Sequence, residues 1–80
     1  MNESILEIDV HCMTVYQAKI AIDAKLRRAK GAYRLRVIHG YHGGTALRDA
    51  VRKDYAKHPM VRRIELGANP GETDLVLREW

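Results

Sequence analysis

Apolar and polar residues alternate in short stretches of this chain and recur at helical spacing in longer ones. The alternating stretches, each predicted to form a strand, cover residues 5–11, 33–38, 61–66 and 73–78. Between the first two, apolar residues recur every three to four positions from residue 18 to residue 29, and between the second and third they recur from residue 47 to residue 55. The pattern predicts the order strand, helix, strand, helix, strand, strand.

Capping residues set the ends of the two predicted helices. Thr14 followed by Gln17 forms the capping-box pattern that starts a helix, and Gly31 is suited to end it. Thr45 or Gly44 is predicted to cap the second helix, which ends before Pro59.

The first strand–helix–strand unit predicts a right-handed crossover and therefore a parallel pair of strands. Such a pair brings the ends of both strands, and with them His11 and His39, to one edge of the sheet. The predicted fold is an α+β, two-layer βαβαββ arrangement, with a mixed four-stranded sheet and two helices on one face. Residues 1–80 show no repeat or linker and are predicted to form one domain.

A glycine-rich turn interrupts the chain between the second strand and the second helix. Glycines allow close backbone approach, and amides at a helix start bind anions, so the turn predicts a phosphate site. Arg48, in the first helical turn, and Arg34 and Arg36, on the outward face of the second strand, are predicted to contact phosphates. The predicted nucleic-acid-binding residues of the turn are Gly40, Tyr41, His42, Gly43, Gly44 and Thr45.

The net charge indicates what kind of molecule the chain binds, and the cysteine content indicates its cellular compartment. Lys and Arg number 14 against 10 Asp and Glu, a formal net charge of +4, which favours an acidic partner such as nucleic acid. The single cysteine, Cys12, forms no intrachain disulfide and fits a reducing compartment. With no long apolar run and no secretory signal, the sequence predicts a cytoplasmic protein without a membrane partner.

Asp9 and His11 share the polar face of the first strand, near its end, where a carboxylate can orient an imidazole or raise its pKa. The open alternatives are that His11 and His39 are hydrogen-bonded structural residues and that Asp9 caps a loop. Zinc binding or a Cys–His nucleophile involving Cys12 is disfavoured, because zinc-ligand spacing is absent.

Four sequence pieces, in order along nearly the whole chain, resemble the small MutS-related (Smr) domain family. They are Ile8-Asp9-Val10-His11, Ile38-His39-Gly40 followed by glycines and Leu47-Arg48, His58-Pro59-x-Val61, and Gly71-Glu72-Thr73-x-x-Val76-Leu77. The chain departs from the family pattern at Cys12, where glycine is usual, and at residues 41–44, which replace a shorter basic-residue and glycine continuation.

The resemblance implies a fold similar to the C-terminal domain of bacterial translation initiation factor three. It also implies a nucleic-acid function, with nicking of DNA or cleavage of RNA in some members. Carried over by position, the functional set is Asp9 and His11 from the first motif, with His39, Gly40, Gly43 and Gly44 from the second.

The leading hypothesis is therefore a nucleic-acid-binding domain with endonuclease activity, in which Asp9, His11 and His39 are catalytic. One imidazole activates water or a 2′-hydroxyl, another protonates the leaving oxygen, and Asp9 orients a histidine or holds a divalent ion such as Mg²⁺. The alternatives are a non-catalytic nucleic-acid module that binds phosphates through Arg34, Arg36 and Arg63, and a domain that docks on a ribosome or repair complex. The expected state is a monomer or weak dimer.

Overall fold

The computed structural model describes residues 5–29, 31–40, 45–66 and 69–78 and has the predicted element order. The elements are β1 (Ile5–Asp9), α1 (Val15–Arg27), β2 (Arg34–Ile38), α2 (Ala46–Tyr55), β3 (Arg63–Glu65) and β4 (Glu72–Val76). Each strand is shorter than its sequence pattern suggested, because the flanking residues continue the alternation but leave the hydrogen-bonded ladder. No helix in these ranges is long and apolar enough to span a membrane.

The capping box predicted at the start of α1 is present. The backbone amide of Gln17 donates to Thr14 Oγ1 at 3.1 Å, and the backbone amide of Thr14 donates to Gln17 Oε1 at 3.0 Å. The helix ends at Arg27, four residues before Gly31. After Arg27 the backbone amides bond to carbonyls three residues earlier rather than four, as Arg28 does to Lys25 at 3.1 Å.

The sheet is mixed, as predicted, with strand order β1-β2-β4-β3. β1 and β2 are parallel, and β4 runs antiparallel to both β2 and β3. Asp9 lies opposite Ile38, which in turn lies opposite Glu72. The ends of β1 and β2 and the start of β4 therefore meet at one edge, here called the histidine edge (residues 9–11, 38–40 and 71–73).

Both helices pack on one face of the sheet. The hydroxyl of Tyr55, on α2, donates to Asp23 Oδ1 at 2.7 Å and to the Lys19 carbonyl at 3.1 Å, which joins the two helices. Leu6 and Ile8 are only partly buried, since β1 is an edge strand. The buried core consists of Val10, Ala18, Ile22, Leu26, Leu35, Val37, Val51, Tyr55, Val61 and Leu75.

The other face, here called the open sheet face, carries an ion-pair network centred on Asp74 of β4. Asp74 is only 4% exposed. Its carboxylate accepts from Arg36 Nε at 2.9 Å and from Arg34 Nη1 at 2.8 Å, and Arg34 also pairs with Glu65. Burial raises the pKa of the Asp74 carboxyl, but the two arginine hydrogen bonds outweigh burial and leave that pKa below its usual value.

Replacing Asp74 by Asn should lower the free energy of unfolding by about 2–3 kcal/mol at pH 7, because Arg34 and Arg36 lose a buried anionic partner. A carboxyl with a lowered native pKa stabilises the fold above its unfolded pKa of about 3.9, and that contribution is lost as the pH falls further. Urea denaturation from pH 7 to pH 3 should therefore show the curves of wild type and Asp74→Asn converging below about pH 4.

The matched control is Glu7→Gln, since Glu7 is exposed and lies 3.8 Å from Arg36 Nη1 on the same face. This variant should change the free energy of unfolding by less than about 0.5 kcal/mol. Equal stability of Asp74→Asn and wild type across the pH range would contradict the central role of Asp74.

Candidate active site

At the end of β1, Asp9 and His11 form an exposed carboxylate–imidazole pair. Asp9 Oδ1 accepts hydrogen bonds from the His11 backbone amide at 3.1 Å and from His11 Nδ1. These bonds, with the His11 side chain first, hold the pKa of Asp9 below its usual value. Because the ionised carboxylate only accepts, Nδ1 carries the proton, and in the neutral ring Nε2 carries the lone pair. Both side chains are about half exposed, at 55% for His11 and 54% for Asp9.

Gly40 connects this pair to the end of β2. Its φ of +74° lies in the left-handed region, and a Cβ at this position would lie 3.3 Å from His11 Cβ. The backbone amides of His39 and Gly40 both donate to the Gly71 carbonyl at 2.9 Å. The turn is thus fixed from the β4 side and packs directly against the residue that carries the exposed imidazole.

The His39 imidazole is buried, and both of its nitrogens have partners. Nδ1 lies 2.9 Å from the Gly40 carbonyl, which can only accept, so Nδ1 is protonated. Nε2 in the neutral ring therefore accepts from the Thr73 hydroxyl at 2.8 Å. Arg52 Nε in turn donates to Thr73 Oγ1 at 3.0 Å. A continuous chain of hydrogen bonds runs from α2 through β4 to the Gly40 turn.

Burial lowers the pKa of His39, and the positive charges of Arg52 and Arg48 lower it further. The Gly40 carbonyl acts in the opposite direction without reversing the shift. A histidine whose pKa is below its ordinary value of about 6.5 is neutral at pH 7. The charge state agrees with the hydrogen-bond pattern, in which Nε2 accepts.

The start of α2 approaches the same edge. Thr45 occupies the predicted N-cap position, but its side chain makes no capping hydrogen bond. The Thr45 hydroxyl instead bonds to the Asp49 carboxylate. This hydrogen bond, together with Arg48, lowers the pKa of Asp49. Arg48 Nε donates to Asp49 Oδ1 at 3.2 Å. The first amides of α2 therefore lack the side-chain acceptor expected from Thr45.

The structure brings together some of the predicted site residues and separates others. Asp9, His11, His39 and Gly40 lie at the histidine edge, although no hydrogen bond joins the two imidazoles. Arg34 and Arg36 lie on the open sheet face, as predicted, but their guanidinium groups are paired with carboxylates. The predictions for Tyr41, His42, Gly43 and Gly44 fall outside the described residues.

Sequence reasoning did not single out two residues of this site, Arg52 and Thr73. Arg52 lies four positions after Arg48, which is the spacing of neighbours on one helix face. Thr73 lies in the last of the four motif pieces, but its contact with His39 requires the antiparallel register of β2 and β4. Within the described ranges, no group of three or more His, Cys, Asp or Glu side chains is arranged to hold a metal ion.

Comparisons with known proteins relate this geometry to one family. The model of the Smr domain family matches residues 8–73. The crystal structure of the Smr domain of Thermus thermophilus MutS2 is similar, with a TM-score of 0.84 and 30% identity, over 92% of this chain and 99% of that chain. A search of curated proteins finds no match. The matched range includes His11, His39, Arg52 and Thr73.

Replacing Gly40 by Ala should both destabilise the fold and displace His11. The left-handed conformation alone costs about 1–2 kcal/mol for a residue with a Cβ. In addition, the new methyl group meets His11 Cβ at 3.3 Å. Urea denaturation measures the first effect, and the NMR shifts of the His11 imidazole measure the second.

Gly31→Ala is the matched control, because Gly31 has a φ of +85° and a Cβ there meets no atom within 4 Å. It should lose similar stability and leave the His11 resonances in place. Unchanged His11 resonances in Gly40→Ala would show that the turn does not position this histidine.

Proposed function

The chain belongs to the Smr domain family, and from this premise we propose that it binds nucleic acid and cleaves phosphodiester bonds at the histidine edge. The observation that carries the proposal is the Asp9–His11 pair. It combines a carboxylate, a fixed imidazole tautomer and solvent exposure at a strand end. This is the arrangement that general-base catalysis requires.

In the proposed reaction, His11 Nε2 removes a proton from the attacking oxygen, which is water or, in RNA, a 2′-hydroxyl. The oxygen attacks phosphorus, the bond to the leaving oxygen breaks, and the leaving oxygen takes a proton from solvent water. Asp9 holds the ring through Nδ1 and stabilises the imidazolium as it forms. Asp9 can act in this way without a metal or can also hold a divalent ion, and assays with and without EDTA distinguish these two roles.

Negative charge that develops on the phosphate needs positive partners nearby. Arg48 lies in the first turn of α2, whose amide end is also positive. The amides of Gly43 and Gly44 are proposed to contribute as well, as the glycine-rich turn suggested.

We assign His39 a positioning role. Its ring nitrogens bond to the Gly40 carbonyl and to Thr73, and burial keeps it neutral at pH 7. A residue that protonates a leaving oxygen must carry a proton that it can give, whereas the Nδ1 proton of His39 holds the turn that packs against His11. The proposal therefore gives the two histidines different functions at one edge.

The open sheet face is less suited to phosphates than its arginines suggested. Strand residues directed to this face include five carboxylates and three guanidinium groups, a net charge of −2. Nucleic acid would have to break existing ion pairs to reach Arg34 or Arg36. These residues on the open sheet face are Glu7, Asp9, Glu65, Glu72, Asp74, Arg34, Arg36 and Arg63.

His11→Ala should reduce cleavage by about 10²–10⁴-fold while nucleic-acid binding is retained, because a general base contributes to the reaction and little to affinity. Asp9→Asn should reduce cleavage less. The assay uses purified protein with supercoiled plasmid and with structured RNA, in Mg²⁺, Mn²⁺ or EDTA, and fluorescence anisotropy measures binding to the same nucleic acids.

His58→Gln is the matched control, since His58 follows α2 at the other end of the molecule and stacks on Tyr55. It should cleave at the wild-type rate. A wild-type protein that binds both nucleic acids but cleaves neither would favour the non-catalytic module. Binding that is absent, or that does not weaken with salt, would contradict both nucleic-acid functions and favour a protein-docking domain.

A further inference from the structure

We propose that Arg52 binds a backbone phosphate of the nucleic acid together with Arg48, in an orientation set by the buried hydroxyl of Thr73. The inference rests on the proposed function and adds to it a phosphate-binding residue and a residue that positions it. It concerns affinity for the sugar–phosphate backbone, which DNA and RNA share.

The first observation is the geometry of Arg52 on α2. It lies one helical turn after Arg48, so both side chains lie on the same side of the helix. Its Nε donates to Thr73 Oγ1 at 3.0 Å, which uses one of five N–H donors. Within the part of the chain that the structure describes, the terminal nitrogens of Arg52 have no hydrogen-bond or ion-pair partner.

The second observation is that the positive charges of the arginines differ in their carboxylate partners. Arg34 and Arg36 pair with the buried carboxylate of Asp74. No carboxylate among the described residues lies within 4.0 Å of Arg52, and Arg48 has only the exposed Asp49 as its neighbour. The guanidinium groups of Arg48 and Arg52, one helical turn apart, and the Asp49 carboxylate sum to a charge of +1, which an anionic ligand would balance.

The third observation is the fixed direction of the Thr73 hydroxyl. Thr73 is fully buried, and its proton goes to His39 Nε2 because His39 Nδ1 is already a donor to Gly40. The lone pairs of the oxygen are then available to Arg52 Nε. The Gly40 carbonyl sets the tautomer of His39, and the Thr73 hydroxyl bonds both to that ring and to Arg52. The hydroxyl thus connects the phosphate-binding side chain to the turn behind His11.

A phosphodiester fits the donors that remain. A guanidinium held through Nε presents its terminal N–H groups in one plane, which matches two oxygens of a phosphate. Held in place before binding, Arg52 also loses little side-chain entropy when the ligand arrives.

The test measures binding of Arg52→Met to a fluorescein-labelled DNA duplex and to a labelled RNA hairpin, by anisotropy at several salt concentrations. Loss of one phosphate contact should weaken binding about tenfold and reduce the slope of log K against log [salt] by about 1. If only one probe responds, that probe identifies the nucleic acid whose backbone Arg52 contacts.

Arg62→Met is the matched control. Arg62 is exposed, and its amide bonds to Val76 at the end of the sheet opposite the histidine edge. The variant loses the same charge but should change affinity less than about twofold. Arg52→Met and Arg62→Met with equal affinities and salt slopes would overturn the proposal, because Arg52 would then act only as general surface charge.

Two further variants keep the test valid if Arg52→Met folds poorly. Arg52→Lys keeps the charge but loses the planar fork, and Thr73→Val keeps Arg52 but removes the hydroxyl that orients it. Each should weaken binding about threefold with a salt slope close to that of wild type. Unchanged affinity in both variants would overturn the positioning role of Thr73 and the need for a fork.

The outcomes separate this inference from the proposed function. A wild-type protein that binds neither probe overturns both. A wild-type protein that binds and cleaves, with Arg52→Met equal to it in affinity and salt slope, overturns the assignment of Arg52 alone. A lower melting temperature of Arg52→Met with an unchanged salt slope shows a structural role and also counts against the proposal.

Discussion

Two backbone amides that share one carbonyl hold the histidine edge together. His39 and Gly40 both donate to Gly71, so the end of β2 is fixed by the residue that precedes β4. This constraint keeps Gly40 left-handed and close to His11, where a Cβ would be too near. The residue that carries the exposed imidazole therefore packs against a turn that is fixed by backbone hydrogen bonds, while the Asp9 carboxylate holds the ring itself. Its position depends on three chain segments meeting in one place.

The two histidines at this edge differ because their environments differ. His11 lies outside the sheet with a carboxylate on Nδ1, so Nε2 carries the lone pair in the neutral ring. His39 is buried, and its two nitrogens bond to the Gly40 carbonyl and to Thr73 of β4. Exchanging a proton at His39 would break a buried hydrogen bond, which carries a desolvation penalty of about 1–3 kcal/mol. Environment thus assigns base chemistry to one residue and positioning to the other.

The sequence predicted the element order, the parallel β1–β2 pair and the meeting of both histidines at one edge, because these follow from local periodicity and crossover handedness. It did not predict the ion pairing of Arg34 and Arg36, since Asp74 faces them only through the antiparallel register of β4. The separate environments of His11 and His39 also depend on tertiary contacts. Periodicity cannot show that Thr73 bonds to the His39 ring and that Arg52 bonds to Thr73.

The distribution of charge separates the helices and loops from the open sheet face. The chain has a formal net charge of +4, while strand residues on the open sheet face sum to −2, so the remaining surface carries +6. A polyanion is attracted to that remaining surface, which includes the helices and the loops. The two arginines of α2, Arg48 and Arg52, both act on the pKa of His39, and Arg52 has no carboxylate within 4.0 Å among the described residues. Charge that the fold leaves uncompensated therefore lies beside the buried His39, at the same edge of the sheet as the His11 imidazole that is proposed to act as a base.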